Sequence, residues 1–133
     1  MEPLNTVATE GGVRVLLADD DEDFLVSLRE LIEAQRELSV VATATNGLSA
    51  IELVDELAPD AVVLDLHMPL LDGVTTMARL RRDHPHLCLI ALTGDDAPAL
   101  HSAAKESGAD EVLLKNAFID GLLGRLTAAK VPA

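Results

Sequence analysis

Five times along this chain a short run of β-prone apolar residues gives way to a longer segment whose apolar residues recur at helical spacing, and few folds accommodate that alternation. The short runs are Val13 to Ala18, Ser39 to Thr43, Ala61 to Leu64, Leu87 to Leu92 and Glu111 to Leu114. Each is largely apolar on consecutive residues, as strands covered on both faces of a parallel sheet should be. In the segments between them, Leu25, Leu28, Leu31 and Ile32 form one helical stripe, Leu48, Ile51, Leu53 and Val54 a second, and Val74, Met77 and Leu80 a third. A fourth helix is short and Ala-rich, and a fifth runs from about Phe118 to Ala129. Pro59, Pro85 and Gly108 stand where the second, third and fourth helices should end. Connections this short admit only right-handed crossovers, so the sequence predicts an α/β fold, an open five-stranded parallel sheet doubly wound with helices on both faces.

A chain of 133 residues is one domain of ordinary size. We place the folded unit at residues 13–130, with residues 1–12 a flexible tail and residues 131–133 a C-terminal tail or the start of a linker. Ten basic residues against 23 acidic ones leave a net charge of −13, which repels a polyphosphate backbone and argues against direct nucleic-acid binding. With Phe24 and Phe118 its only aromatic residues, the chain has little to stack on bases or sugars. The lone Cys88 sits in the apolar run Leu87-Cys88-Leu89-Ile90 and reads as a core residue, and nothing resembles a zinc motif. No apolar run approaches a membrane span and the N-terminus lacks the pattern of a secretory signal, so the expected location is cytoplasmic, with no membrane partner.

In open parallel sheets chemistry gathers beyond the carboxyl ends of the strands. The first strand ends at Asp19, Asp20 and Asp21, and the third at Asp65. Asp21, Glu22 and Asp23 are accounted for as caps and dipole partners of the first helix. Asp65 is not, because Pro69 and Gly73 postpone the next helix, and an acidic residue on a loop at a strand end marks a site. Grouped carboxylates raise one another's pKa unless a cation lies between them, and a small all-oxygen set suits Mg²⁺ better than Ca²⁺. Thr93 and Lys115, at the ends of the fourth and fifth strands, bring a hydroxyl and an ammonium to the same edge. Together these groups describe a phosphoryl pocket. Asp65 would be the nucleophile that forms an aspartyl-phosphate, the metal and Lys115 would neutralise the transferring oxygens, and Thr93 would hydrogen-bond one of them.

The stretches Val15-Leu16-Leu17-Ala18-Asp19-Asp20, Pro59 to Pro69 with Asp72-Gly73, Ala91-Leu92-Thr93-Gly94 and Gly108-Ala109-Asp110 before Leu113-Leu114-Lys115 occur in this order. Together they resemble the receiver domains of bacterial two-component response regulators, over nearly the whole chain from Val13 to about Lys130. Lys115-Asn116-Ala117 is nearer the subclass joined to helix-turn-helix output domains. The resemblance implies a flavodoxin-like sheet of strand order 2-1-3-4-5. It also implies that Asp65 accepts phosphate from a sensor histidine kinase or histidine phosphotransfer protein. Asp20, Asp65 and the backbone carbonyl of His67 would ligate Mg²⁺ directly, Asp19 would act through water, and Thr93 and Lys115 would sense the phosphate. Such a domain is a phosphoryl acceptor with at most self-phosphorylation and self-dephosphorylation activity, not an enzyme in its own right. Its conformational shift would control partner binding, a phosphorylation-dependent homodimer or a linked transcriptional output.

Two positions depart from the family pattern. Val112 stands where many receivers carry an aromatic residue that swings inward on phosphorylation, so the shift is expected to run through Thr93 and the Gly94 to Ala97 loop instead. Asn116 stands where a proline often follows the lysine. His67 and Asp95, two residues after the acceptor and two after the threonine, flank the approach of the hydrolytic water and are expected to tune the lifetime of the phosphorylated state. His84, His86 and His101 read as solvated surface residues. Three alternatives compete. A degenerate receiver could act as a phosphorylation-independent interaction module, but the intact acidic set opposes that. An aspartate-based phosphohydrolase needs a second Asp where His67 stands, and a flavin or dinucleotide carrier needs a phosphate-binding glycine loop that the first strand lacks.

Overall fold

The computed structural model describes residues 12–117 and 119–129. Of the expected tails, residues 1–11 and 131–133 lie outside the described residues, as do Phe118 and Lys130. Strands β1 (Val13–Ala18), β2 (Leu38–Ala44), β3 (Ala61–Asp65), β4 (Cys88–Thr93) and β5 (Glu111–Leu114) alternate with helices α1 (Glu22–Glu33), α2 (Gly47–Leu57), α3 (Gly73–Asp83), α4 (Pro98–Glu106) and α5 (Ile119–Thr127). All pairings are parallel, in the order β2-β1-β3-β4-β5. This is the predicted doubly wound sheet.

The two-residue period of the strands divides the core into two layers. Val13, Val15 and Leu17 of β1, with Val63, Ile90 and Leu92, pack against Leu25, Leu28 and Ile32 of α1 and Leu122 and Leu126 of α5. Leu16 and Ala18, with Val62, Leu64, Leu89 and Ala91, pack against Ile51 and Val54 of α2, Met77 and Leu80 of α3 and Ala104 of α4. The three central strands are almost wholly buried, whereas β5 is half-buried throughout, because an edge strand has a neighbour on one side only. Cys88 is buried in the first layer, and burial pushes its thiol pKa up.

Several boundaries differ from the sequence expectation in informative ways. Helix α2 ends on Ala58, whose φ of 48° makes it a left-handed cap immediately before Pro59. Leu48, assigned to the inner stripe of α2, is 44% exposed; the buried stripe is Gly47, Ala50, Ile51 and Val54. Gly73 lets α3 begin against the residue that follows Asp65, since a Cβ there would lie 2.4 Å from Leu66 Cα. The Gly73 amide donates to the Leu66 carbonyl at 3.1 Å and closes the loop between them.

Candidate functional site

Strand register determines which side chains meet. Ala18 pairs with Leu64, and Asp65 pairs with Leu92, so Asp19 and Asp65 emerge side by side where β1 and β3 end. Thr93 pairs with Leu114 on the next pair of strands, which brings Lys115 to the same edge, its amide donating to the Thr93 carbonyl at 2.9 Å. Asp65 is the terminal residue of β3 and not a loop residue as expected, while Thr93 ends β4 as expected. That accounts for their burial, Asp65 at 5% and Thr93 at 0% exposed.

Asp19, also buried at 2%, and exposed Asp20 complete the cluster: one carboxylate oxygen from each of Asp19, Asp20 and Asp65 lies within 4.8 Å of the others. Lys115 Nζ stands 2.6 Å from Asp19 Oδ2 and 3.5 Å from Asp65 Oδ2. Even so, no well-directed hydrogen bond reaches the buried Asp19 Oδ2, so this oxygen has a neighbouring cation but an unfilled acceptor direction. Asp19 Oδ1 accepts from the Asp21 amide at 2.9 Å, and Asp65 Oδ1 from the His67 amide at 3.2 Å.

Burial first, and then the neighbouring Asp19 charge, push the Asp65 carboxyl above the ordinary aspartate range; the His67 amide and Lys115 oppose the shift without cancelling it. Burial alone would disfavour the Lys115 ammonium, but its contacts with Asp19 and Asp65 outweigh that and hold its pKa above the usual lysine value. Three carboxylates facing one ammonium leave an excess of negative charge. An oxygen-only set with an unfilled buried acceptor matches the donor chemistry of a hard divalent cation.

The other expected site residues fall into two groups. Thr93 Oγ1 accepts from the Asp95 amide at 3.0 Å, so the hydroxyl lies at the edge and is tied to the loop that follows it. The Asp95 carboxylate, by contrast, accepts from the Ala97 amide at 2.9 Å at the start of α4. His67 is exposed, and no ion pair joins it to Asp95 among the described residues. Asp21 is the N-cap of α1, accepting from the Phe24 amide at 3.1 Å, as expected. Two histidines read as merely solvated have partners: His84 Nε2 lies 2.8 Å from Asp55 Oδ1, and His101 Nε2 lies 2.8 Å from the Asp95 carbonyl, to which it must donate. Val112 is half-buried and, with His101, Ser102, Lys105 and Glu106, lines a cavity of about 330 Å³ between α4 and β5.

Sequence reasoning missed two residues. The ring of Phe24 lies over the Lys115 ammonium, 4.5 Å from Nζ to the centroid. The available signal was its place, one of two aromatic residues in the chain standing in the first turn of a helix beside the acidic edge. Arg81 was the second; its guanidinium donates to the carbonyls of Gly108, Pro85 and Leu87 and to Asp110.

Residues 15–127 match the family model of the response regulator receiver domain. Among curated proteins, the chain is 38% identical over 115 residues to the transcriptional regulatory protein PrrA of Mycobacterium tuberculosis, covering 86% of this chain and 48% of PrrA. It is 33% identical over 111 residues to the transcriptional regulatory protein LnrK of Bacillus subtilis, covering 84% of this chain and 50% of LnrK. The chain thus spans about half the length of these relatives. Among solved structures, the signal receiver domain of the Mycobacterium tuberculosis response regulator NarL superposes with a TM-score of 0.83 at 29% identity, over 91% of this chain and 98% of that one. The response regulator domain of Thermotoga maritima CheB does so with a TM-score of 0.82 at 26% identity, over 92% and 99%. Among the described residues, no helix is long and apolar enough to cross a membrane.

Proposed function

The chain belongs to the response regulator receiver domain family, and from that premise we propose that it takes a phosphoryl group on Asp65 from the phosphohistidine of a sensor histidine kinase or histidine phosphotransfer protein. The observation that carries this reading is the convergence of buried Asp65 with Asp19, Asp20 and Lys115 at one sheet edge. An Asp65 carboxylate oxygen attacks phosphorus, the bond from phosphorus to the donor imidazole nitrogen breaks, and the imidazole leaves with the electron pair. Asp65 is poorly solvated and therefore a better nucleophile than an exposed aspartate. Lys115, fully charged at neutral pH, meets the charge arriving on the phosphoryl oxygens. The Thr93 hydroxyl lies at the same edge and, while accepting from the Asp95 amide, keeps its own proton to donate to one of them.

Mg²⁺ would be held by Asp20 and Asp65, by the His67 carbonyl, and by Asp19 through water; when bound, it neutralises the excess carboxylate charge that otherwise repels a phosphodonor. His67 and Asp95 are assigned to the lifetime of the phosphorylated state. His67 acts from its exposed position at the mouth, and Asp95 acts from the loop after β4, where one of its carboxylate oxygens accepts from the Ala97 amide. The resulting change in the Thr93 loop and α4 would govern binding of a partner, a second copy or a linked transcriptional output. Such a donor would meet the domain in the cytoplasm.

The test is incubation with acetyl phosphate with and without Mg²⁺, followed by intact mass and peptide mapping. One phosphoryl group should appear on the peptide containing Asp65, only with a divalent cation, and not in Asp65→Asn. Equal labelling of Asp65→Asn and the parent would refute the assignment.

A further inference from the structure

The Lys115 ammonium has a neighbour that is not a carboxylate. The ring of Phe24 lies over it, with the centroid 4.5 Å from Nζ. Phe24 stands in the first turn of α1, where its amide donates to Asp21 Oδ1 at 3.1 Å. The Asp21 amide donates to Asp19 Oδ1 at 2.9 Å, and Asp19 Oδ2 meets Lys115 Nζ at 2.6 Å. Asp19, Asp21, Phe24 and Lys115 therefore form a closed circuit that ties the start of α1 to the end of β5. The chain has only two aromatic residues, so a ring over the ammonium of the site is not the by-product of an aromatic-rich core.

Competition for oxygen makes this arrangement consequential. Both ionic partners of Lys115, Asp19 and Asp65, belong to the carboxylate cluster that can hold a metal ion. A hard divalent cation takes oxygen ligands, and as it does so it withdraws from Lys115 the charge that holds the ammonium in place. The face of an aromatic ring attracts an ammonium through its quadrupole and is not consumed by that exchange. We infer that Phe24 is the positioning residue for Lys115, its ring face keeping the ammonium beside Asp65 while a divalent cation occupies the carboxylates. Its purpose, though not its geometry, rests on the reading of Asp65 as a phosphoryl acceptor.

Two measurements decide it, and they fail separately. Phe24→Leu keeps apolar bulk against the core layer that α1 shares with α5 and removes the ring, whereas Phe24→Tyr keeps the ring. In proton NMR spectra of the parent, the ε-methylene protons of Lys115 should be shifted upfield by the ring current, both in metal-free buffer and at saturating Mg²⁺. The shift should vanish in Phe24→Leu and persist in Phe24→Tyr. A return of the Lys115 signals in the parent to those of an exposed lysine on adding Mg²⁺ would overturn the inference whatever Asp65 does. The second measurement is the affinity for beryllofluoride in the presence of Mg²⁺. It should fall about three- to tenfold in Phe24→Leu and stay near the parent's in Phe24→Tyr. In a Lys115→Met background the same Phe24→Leu change should cost nothing further. An equal loss in both backgrounds would make the ring a packing element and overturn its positioning role. A parent that binds no beryllofluoride would overturn the phosphoryl reading of Asp65, while the ring-current result still decides where Lys115 is held.

Discussion

At the amino ends of the strands, Asp60 and Asp110 each stand one residue before a strand and clasp the strand beside it. Asp60 Oδ2 accepts from the Arg14 amide at 2.8 Å while the Asp60 amide donates to the Arg14 carbonyl at 2.8 Å. Asp110 Oδ2 accepts from the Leu89 amide at 2.9 Å while its own amide donates to the Leu89 carbonyl at 2.7 Å, and Arg81 adds a charged donor at 3.0 Å. At the carboxyl ends, Asp19 and Asp65 receive one turn amide each, share a single ammonium, and face a third carboxylate. The same residue type thus serves opposite purposes at the two edges of one sheet. Strands that enter a parallel sheet present free N–H groups, which suit a carboxylate. Strands that leave it present carbonyls, which do not, so charge gathered there remains available to a cation or a phosphoryl group.

Breaking the amino edge should have the largest effect. Asp110→Ala leaves the Leu89 amide without its acceptor and takes from the half-buried Arg81 guanidinium its carboxylate, though not its carbonyl partners, and the expected loss is about 2 kcal/mol in urea unfolding. A loss comparable to that of an exposed surface residue would show that the clasp is dispensable.

The carboxyl edge should respond with the opposite sign. In metal-free buffer Asp65→Asn removes one of the crowded charges and should be more stable than the parent at neutral pH, by less than Asp110→Ala loses. Because the folded-state pKa of Asp65 is raised, its ionised form costs stability above that pKa, and the cost fades as protonation begins on acidification. The advantage of Asp65→Asn should therefore shrink as the pH falls through the folded pKa and disappear below the ordinary aspartate value near 3.8. An advantage that grows on acidification would contradict the assigned cause.

The smallest expected effect sharpens the comparison from within the carboxyl edge. Asp72 lies in the loop after Asp65, but its duty is local: it caps α3, accepting from the Thr75 amide at 2.8 Å and from the Thr75 hydroxyl at 2.9 Å. These hydrogen bonds hold its pKa below the usual range. Its contribution is thus present above the ordinary aspartate pKa and lost as the pH falls through the lower folded value. Asp72→Ala should cost about 1 kcal/mol at neutral pH, with little change below that range, in the same unfolding assay. Loss of Asp65 labelling without loss of stability would instead place Asp72 among the site residues.

Most of the framework was legible in the sequence because its central strands announce themselves as uninterrupted apolar runs. The sheet-edge rule then gathers Asp19, Asp20, Asp65, Thr93 and Lys115 with no further information. What escaped were partners distant in sequence. Arg81 meets Gly108 and Asp110 nearly thirty residues away, and Gly108 adopts a φ of 123° with its Cα face against the Arg81 side chain. Periodicity sees neither end of such a contact. Leu48 was misplaced because the first turn of α2 turns its inner face toward Gly47, which packs against Thr76 and Leu71 too closely for any side chain. His101 looked solvated because its acceptor is a main-chain carbonyl, which no side-chain pattern reveals.

The difference between the two edges is tested most directly by an amide NMR titration of the unphosphorylated protein with Mg²⁺. Saturable shifts should centre on Asp19 to Asp21 and Asp65 to Met68, with Asp60, Asp110 and the residues they clasp unmoved. Shifts spread equally over both edges, or none at Asp65 to Met68, would contradict the account.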